Sequence, residues 1–232
     1  MDQLKETTAS MPRLYSGPLS MFGAKVQIAM LEKGLCHELI MVPFGMDRLY
    51  APKHPEVLRI NPKAQVPVLV HGDLELFDST QIFEYLEDIA LESPLWPREP
   101  AARARARLLE LQSDEVFFPP VIRLMGLQEH LDQPAAHAAQ EACVRFYQPM
   151  ERLLEAGEHL AGAYTYADIA FYMAQFFAER MSASMTSTTP RLQRWRERMT
   201  ARPAVRLVIG PMAAFLKAQG RPVPGFVREL AG

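Results

Sequence analysis

Two stretches carry residue types and spacing that suit work on a ligand: Asn61-Pro62-Lys63-Ala64-Gln65-Val66-Pro67-Val68-Leu69, and Asp78-Ser79. A proline entering a strand cannot donate to the ladder, so it belongs at a strand start, an edge or a special turn. A cis X-Pro bond at Pro67 would turn the backbone N–H and C=O of Val66 toward an extended ligand. A helix that opens with Asp-Ser offers its first N–H groups, and the positive end of its dipole, to a carboxylate. Peptide-edge pairing beside a carboxylate pocket describes a site for a small acidic peptide.

The elements that must position these residues are readable from periodicity. Leu14-Tyr15-Ser16 reads as a strand, Ala24 to Lys33 as a helix stopped by Gly34, and Glu38 to Val42 as a second strand. A short helix is expected over Lys53 to Ile60. Val66 to Val70 and Leu74 to Phe77 flank His71-Gly72-Asp73, a hairpin signal. Ser79 to Leu91 places Ile82, Phe83, Leu86, Ile89 and Ala90 on one helical face. Pro94, Pro97 and Pro100 mark a linker over 92–100. Beyond it the pattern is helical: Ala101 to Met125, kinked by Pro119-Pro120, then Ala135 to Gly157, Pro190 to Ala201 and Pro203 to Gln219. Thr165 and Asp168 form a capping-box variant that opens a helix, mostly apolar all round and so expected to be buried, running to Arg180.

Composition narrows the function classes. The 232 residues allow one or two domains, and 49% apolar with 22% charged residues is ordinary for a soluble globular chain. A net charge of −2 and the absence of a basic run argue against nucleic acid as a partner. No apolar run approaches a membrane span, so no membrane partner is expected. Residues 1–12 read as a flexible extension without a signal-peptide pattern. Cys36 and Cys143 form no CxxC motif, which suits free thiols in a cytoplasmic protein. The histidines fall at no metal-ligand spacing, and no dinucleotide or phosphate-loop fingerprint is present, so no metal is expected.

From Arg13 to about Phe215 the chain resembles the cytosolic glutathione S-transferases. The resemblance rests on motifs in order: Leu14-Tyr15-Ser16 with Lys25-Val26, Asn61-Pro62 with Val66-Pro67-Val68-Leu69, Asp78-Ser79 with Tyr85-Leu86, Thr165-Tyr166-Ala167-Asp168-Ile169, Pro190 with Trp195, and Arg202-Pro203-Ala204. It implies a thioredoxin-like α+β domain over 13–91, an all-helical domain over 101–232, a homodimer, and glutathione as cosubstrate with a small apolar electrophile. The implied role is detoxification by a transferase. The same fold also serves glutathione-dependent lyases that cleave aryl ethers, dehalogenases, isomerases and non-catalytic carrier or interaction modules.

The resemblance also implies a site. The reactive group of this fold follows the first strand, where Ser16-Gly17-Pro18-Leu19-Ser20-Met21-Phe22-Gly23 holds no cysteine, so the nucleophile belongs to the cosubstrate. Ser20 is the expected catalytic hydroxyl, with Tyr15 and Ser16 as rivals and a plain N-cap as its structural alternative. A free thiol is only slightly ionised at neutral pH, and a hydroxyl donor at a helix N-terminus favours its thiolate. Val66, with Gln65 and Pro67, would pair with the cysteinyl backbone, and Asp78 and Ser79 would hold the γ-glutamyl end. As N-caps, Asp78 and Ser79 need no ligand. Lys53, His54, Arg48 and Lys63 compete for the glycine carboxylate. The second substrate would meet Leu19, Met21 and Phe22 from the first domain. From the second it would meet Phe117, Phe118, Val121, Arg123 and Met125, and Tyr172, Phe176 and Arg180. The thirteen methionines suit an adaptable pocket.

Overall fold

The computed structural model describes residues 11–232; of the expected extension, residues 1–10 lie outside the described residues. The chain divides into a first compact unit ending at Leu91 and a second spanning Glu92–Gly232.

The first unit runs β1 (Arg13–Ser16), α1 (Met21–Glu32), β2 (Glu38–Met41), α2 (Pro55–Ile60), β3 (Val68–His71), β4 (Leu74–Phe77) and α3 (Ser79–Ile89). The sheet order is β2-β1-β3-β4. β1 runs parallel to β2 and antiparallel to β3, which pairs antiparallel with β4. This is the thioredoxin-like arrangement. Strand alternation sends Leu14 and Leu69 into a core with Val26, Met30, Ile82 and Leu86 from α1 and α3. It sends Tyr15, Val68 and Val70 into a second core with Val42 and Val57, the latter from α2. Both sheet faces are therefore covered. The β3 ladder begins at Val68, two residues later than expected, because Pro67 has no N–H to give it. Helix α1 begins three residues earlier than its apolar period suggested, because Ser20 caps it there. Gly34 takes φ +67 at its end, the left-handed geometry a glycine supplies without steric cost.

The second unit runs α4 (Pro100–Gln112), a π-helical turn (Ser113–Phe117), α5 (Phe118–Gly126), α6 (Pro134–Leu153), α7 (Tyr166–Arg180), α8 (Pro190–Ala201), α9 (Pro203–Ala218) and a 3₁₀ segment (Gly225–Ala231). The expected single helix over 101–125 is interrupted rather than only kinked. The Phe118 N–H reaches back five residues to the Ser113 carbonyl, and Pro119-Pro120 fall in the first turn that follows, where no N–H is required. Helix α6 stops at Leu153, short of the expected Gly157, as its end tightens into i→i+3 bonds at Glu155 and Ala156. Helix α7 is buried along nearly its whole length. Asp168 anchors its start. Oδ1 accepts from Leu160 N and Trp195 Nε1, and Oδ2 accepts from the backbone N–H and hydroxyl of Thr165. The 3₁₀ segment carried no sequence signal; its Phe226 lies edge-on to Tyr172 and Phe176.

Candidate thiol-activating and peptide-binding site

Ser20 has the extended backbone of an N-cap, φ −97 and ψ 111, and its Oγ accepts from Gly23 N at 3.0 Å. One lone pair is thus engaged by the helix, and the hydroxyl keeps its proton for an acceptor. At 7% exposure the side chain is recessed but reachable. Ser16 has no exposure, and its Oγ accepts from Gln27 Nε2 at 2.8 Å. A Cβ on Gly23 would stand 2.1 Å from Ser16 Oγ and 3.0 Å from Ser20 Oγ, so both hydroxyls border one glycine. Tyr15 is a core side chain: it packs with Val42, Val57, Val68 and Val70, its ring 5.1 Å from that of His54. Of the three hydroxyls, Ser20 alone combines a helix N-terminus with access for a ligand.

Tyr50 was not anticipated from the sequence. Its ring lies over the loop that leads to Ser20, and a Cβ on Gly17 would meet Tyr50 Cε1 at 2.3 Å. Burial pushes its phenol well above the ordinary range. Tyr50 comes from an irregular segment, where no periodicity marks it.

The Val66–Pro67 bond is cis, and so is Ala51–Pro52. Asn61 shapes the approach to Val66. Its Nδ2 donates to Gln65 O at 2.6 Å, and its Oδ1 accepts from Lys63 N at 2.9 Å. Ala64 donates to the Asn61 carbonyl while holding φ +51. Gln65 is left exposed and Val66 half-buried.

Asp78 occupies φ +75, ψ 125, a sparsely populated region for a residue with a side chain, at a cost of about 1–3 kcal/mol. Its Oδ1 accepts from Thr80 N at 3.1 Å and Gln81 N at 3.3 Å. Two of the amides offered to a ligand carboxylate are therefore already engaged by Asp78. Ser79 is buried beside it in the first turn.

The cation candidates separate. His54 Nδ1 caps α2 by accepting from Glu56 N at 3.2 Å. Arg48 is highly exposed and pairs with Asp47 at 3.3 Å. Lys63 lies on the solvent side of the Asn61 turn. Lys53 places its Nζ 5.6 Å above the Tyr50 ring, tying it to the loop that precedes Ser20.

The apolar candidates separate as well. In the first unit Leu19 and Met21 are buried and Phe22 is half-buried, with Lys25 Nζ 5.6 Å above the Phe22 ring. In the second unit Phe118 is buried and its ring meets that of Phe177. Val121, Tyr172 and Phe176 have no exposure, and the Tyr172 hydroxyl bonds Thr200 Oγ1 at 2.8 Å. Phe117 sits among the rings of Phe146, Tyr147 and Phe171. These four are buried among the core side chains of the helical unit. Arg123 is exposed, Met125 half-buried and Arg180 buried. Among the described residues no group of three His, Cys, Asp or Glu is placed to hold a metal, and no helix is long and apolar enough to cross a membrane.

Known proteins align with this arrangement. Residues 14–94 match the glutathione S-transferase N-terminal domain, and residues 115–203 match the C-terminal domain. The chain is 32% identical over 183 residues to glutathione S-transferase 1 of Dianthus caryophyllus, covering 75% of this chain and 77% of that protein. It is 37% identical over 111 residues to the stringent starvation protein A homolog of Coxiella burnetii, covering 47% of this chain and 49% of that relative, about half its length. The crystal structure of a glutathione transferase family member from Pseudomonas fluorescens Pf-5, with two glutathione bound, superposes with a TM-score of 0.73 at 26% identity, covering 87% of this chain and 92% of that one. With both domain patterns in order along a thioredoxin-like unit and a helical one, the chain belongs to the glutathione S-transferase family.

Proposed function

We propose that the chain is a glutathione transferase in which Ser20 stabilises the cosubstrate's thiolate. The observation that carries this reading is the Gly23 N–H donating to Ser20 Oγ at the start of α1. That bond occupies one lone pair of Oγ and leaves the hydroxyl proton for another acceptor, which in this reading is the sulfur. Each unit of thiol pKa depression corresponds to about 1.4 kcal/mol, within reach of one charge-assisted hydrogen bond at a helix N-terminus. The thiol proton leaves to solvent. A sulfur lone pair then forms the C–S bond to an apolar electrophile, and the leaving group departs with its electron pair, or, in an addition, the adduct takes up a proton.

In this reading Val66, ahead of Pro67 and beside Gln65, pairs its backbone with the cysteinyl portion. Ser79 and Asp78 meet the γ-glutamyl end, and Lys53 the glycine carboxylate. Leu19, Met21, Phe22 and Phe118 remain as candidates for the apolar substrate. We also propose a homodimer, supported by an exposed apolar stripe of Leu108, Leu111, Val116 and Ile122 along α4 to α5; sedimentation of Leu111→Asp against wild type tests it.

The deciding experiment is an ultraviolet difference titration of glutathione against wild type and Ser20→Ala across pH. A thiolate band near neutral pH that Ser20→Ala loses supports the mechanism, and an identical band in both proteins removes Ser20 from it. A second reading, a non-catalytic interaction module, is favoured by the similarity to the stringent starvation protein A homolog. It predicts no thiolate band at all.

A further inference from the structure

Arg180, the last residue of α7, is only 6% exposed. Its Nε is buried without a hydrogen-bond partner. The guanidinium lies 5.5 Å from the Phe177 ring centroid, which fixes its orientation without neutralising it. No carboxylate among the described residues pairs with it. Glu179, next to it in sequence, is committed to Arg196 and Gln175, each at 2.9 Å. Glu129 is committed to Arg221 at 2.6 Å. The charged neighbour that acts on Arg180 is Arg221, of like sign; that repulsion, after the larger effect of burial, lowers the Arg180 pKa to about 10. The C-terminal end of α7 supplies a partial negative charge, which offsets part of the desolvation. A buried charge with no counter-ion is otherwise rare, because nothing replaces its lost hydration.

We propose that Arg180 forms an anion-binding site in the helical unit for the carboxylate or sulfonate head of an organic ligand. The planar fork held on Phe177 presents donors in the geometry that such a head accepts. The bound anion supplies the missing counter-charge. The site stands on the burial of Arg180 at the end of α7 and its packing on Phe177, and does not depend on thiol activation at Ser20.

Calorimetric titration of benzenesulfonate and its neutral isostere benzenesulfonamide against wild type, Arg180→Met and Arg180→Lys tests it. Wild type should bind the sulfonate about ten-fold or more tightly than the amide, the difference expected of a charge-assisted bond. Arg180→Met should bind both alike, and Arg180→Lys should keep part of the preference. Without ligand, Arg180→Met should unfold at a urea concentration no lower than wild type, because an apolar side chain replaces an uncompensated charge. A purely structural arginine predicts the opposite: a destabilised Met variant, and no preference for the anion in wild type. The absence of that preference in wild type overturns the proposal whether or not the Met variant folds, as does a full preference retained by the Met variant. Glutathione affinity, measured on the same proteins, should not change. Its loss in wild type would count against the transferase reading alone.

Discussion

Gln27 Nε2 donates to Ser16 Oγ across 2.8 Å, linking the second turn of α1 to the end of β1 inside the first unit. Both residues are buried, so water cannot replace either partner. Gln27→Leu would preserve bulk while leaving the Ser16 oxygen without its donor. The expected cost is about 1–3 kcal/mol, the penalty of a buried group left unpaired. Urea unfolding measures it. Ser16→Ala combined with Gln27→Leu should recover part of the loss, because the apolar pair no longer strands a polar atom.

Gly23 is a second point of tension at the same place. A glycine inside a helix ordinarily gains about 1 kcal/mol on replacement by alanine. Here the added methyl would stand 2.1 Å from Ser16 Oγ, a distance no packed atom tolerates. Overpacking of a buried site costs about 1–3 kcal/mol, so the loss should outweigh the propensity gain. Gly23→Ala should therefore lower stability by up to about 2 kcal/mol in urea. It should also raise the pKa of the bound glutathione thiol by displacing Ser20 Oγ. A variant more stable than wild type would show that Ser16 moves aside freely.

The contrast between Ser20 and Tyr15 marks how far the chain's residue pattern reaches. Ser20 was placed by the resemblance, while the apolar period began the helix only at Ala24; the cap starts it three residues sooner. Tyr15 was not separable from a catalytic phenol, since period 2 assigns it a face but both faces of this sheet are covered. The same limit applies to Val121 and Tyr172, which lie in segments rich in apolar residues on every side. The π turn at Ser113–Phe117 arises from how the chain accommodates Pro119-Pro120, a choice between kink and extra residue that local pattern leaves undecided. Arg180 ends a helix, where arginine is ordinarily solvated; here it is buried with its guanidinium 5.5 Å from the Phe177 ring centroid, a contact no local pattern marks. Asp78 was read correctly as a helix start, but its own carboxylate takes the amides it was expected to share.

Asp168 should be the most stability-sensitive polar residue of the helical unit. Its two oxygens accept from Leu160 N, Thr165 N, Thr165 Oγ1 and Trp195 Nε1, all within 3.2 Å. Asp168→Ala would orphan these buried donors together. A loss of about 4 kcal/mol or more is expected, in the range that identifies a broken buried network. Asp168→Asn keeps one acceptor oxygen and should lose about half as much. Because Trp195 is a partner, its fluorescence should change in the folded Asn variant as well as in the unfolding transition. An Ala variant within about 1 kcal/mol of wild type would show that the donors find other acceptors.

The two cysteines should behave oppositely, with a consequence for alkaline stability. Cys36 is exposed and Cys143 is buried in α6. Burial pushes the Cys143 thiol from its ordinary 9.0 up to about 12. In the folded protein at pH 8 a disulfide reagent should therefore titrate one thiol per chain, and two in denaturant. The unfolded chain releases the Cys143 proton near pH 9, while the folded chain keeps it to about pH 12. Between those values the folded state binds more protons than the unfolded one, so stability falls as pH rises; below pH 9 the group contributes nothing. The Tyr147 phenol, raised by the same burial and bonded to Ala183 O, acts in the same direction at higher pH. Urea midpoints at pH 8 and pH 10.5 measure the effect: wild type should drop, and Cys143→Ala should drop less. Equal drops in the two proteins would locate the alkaline sensitivity elsewhere.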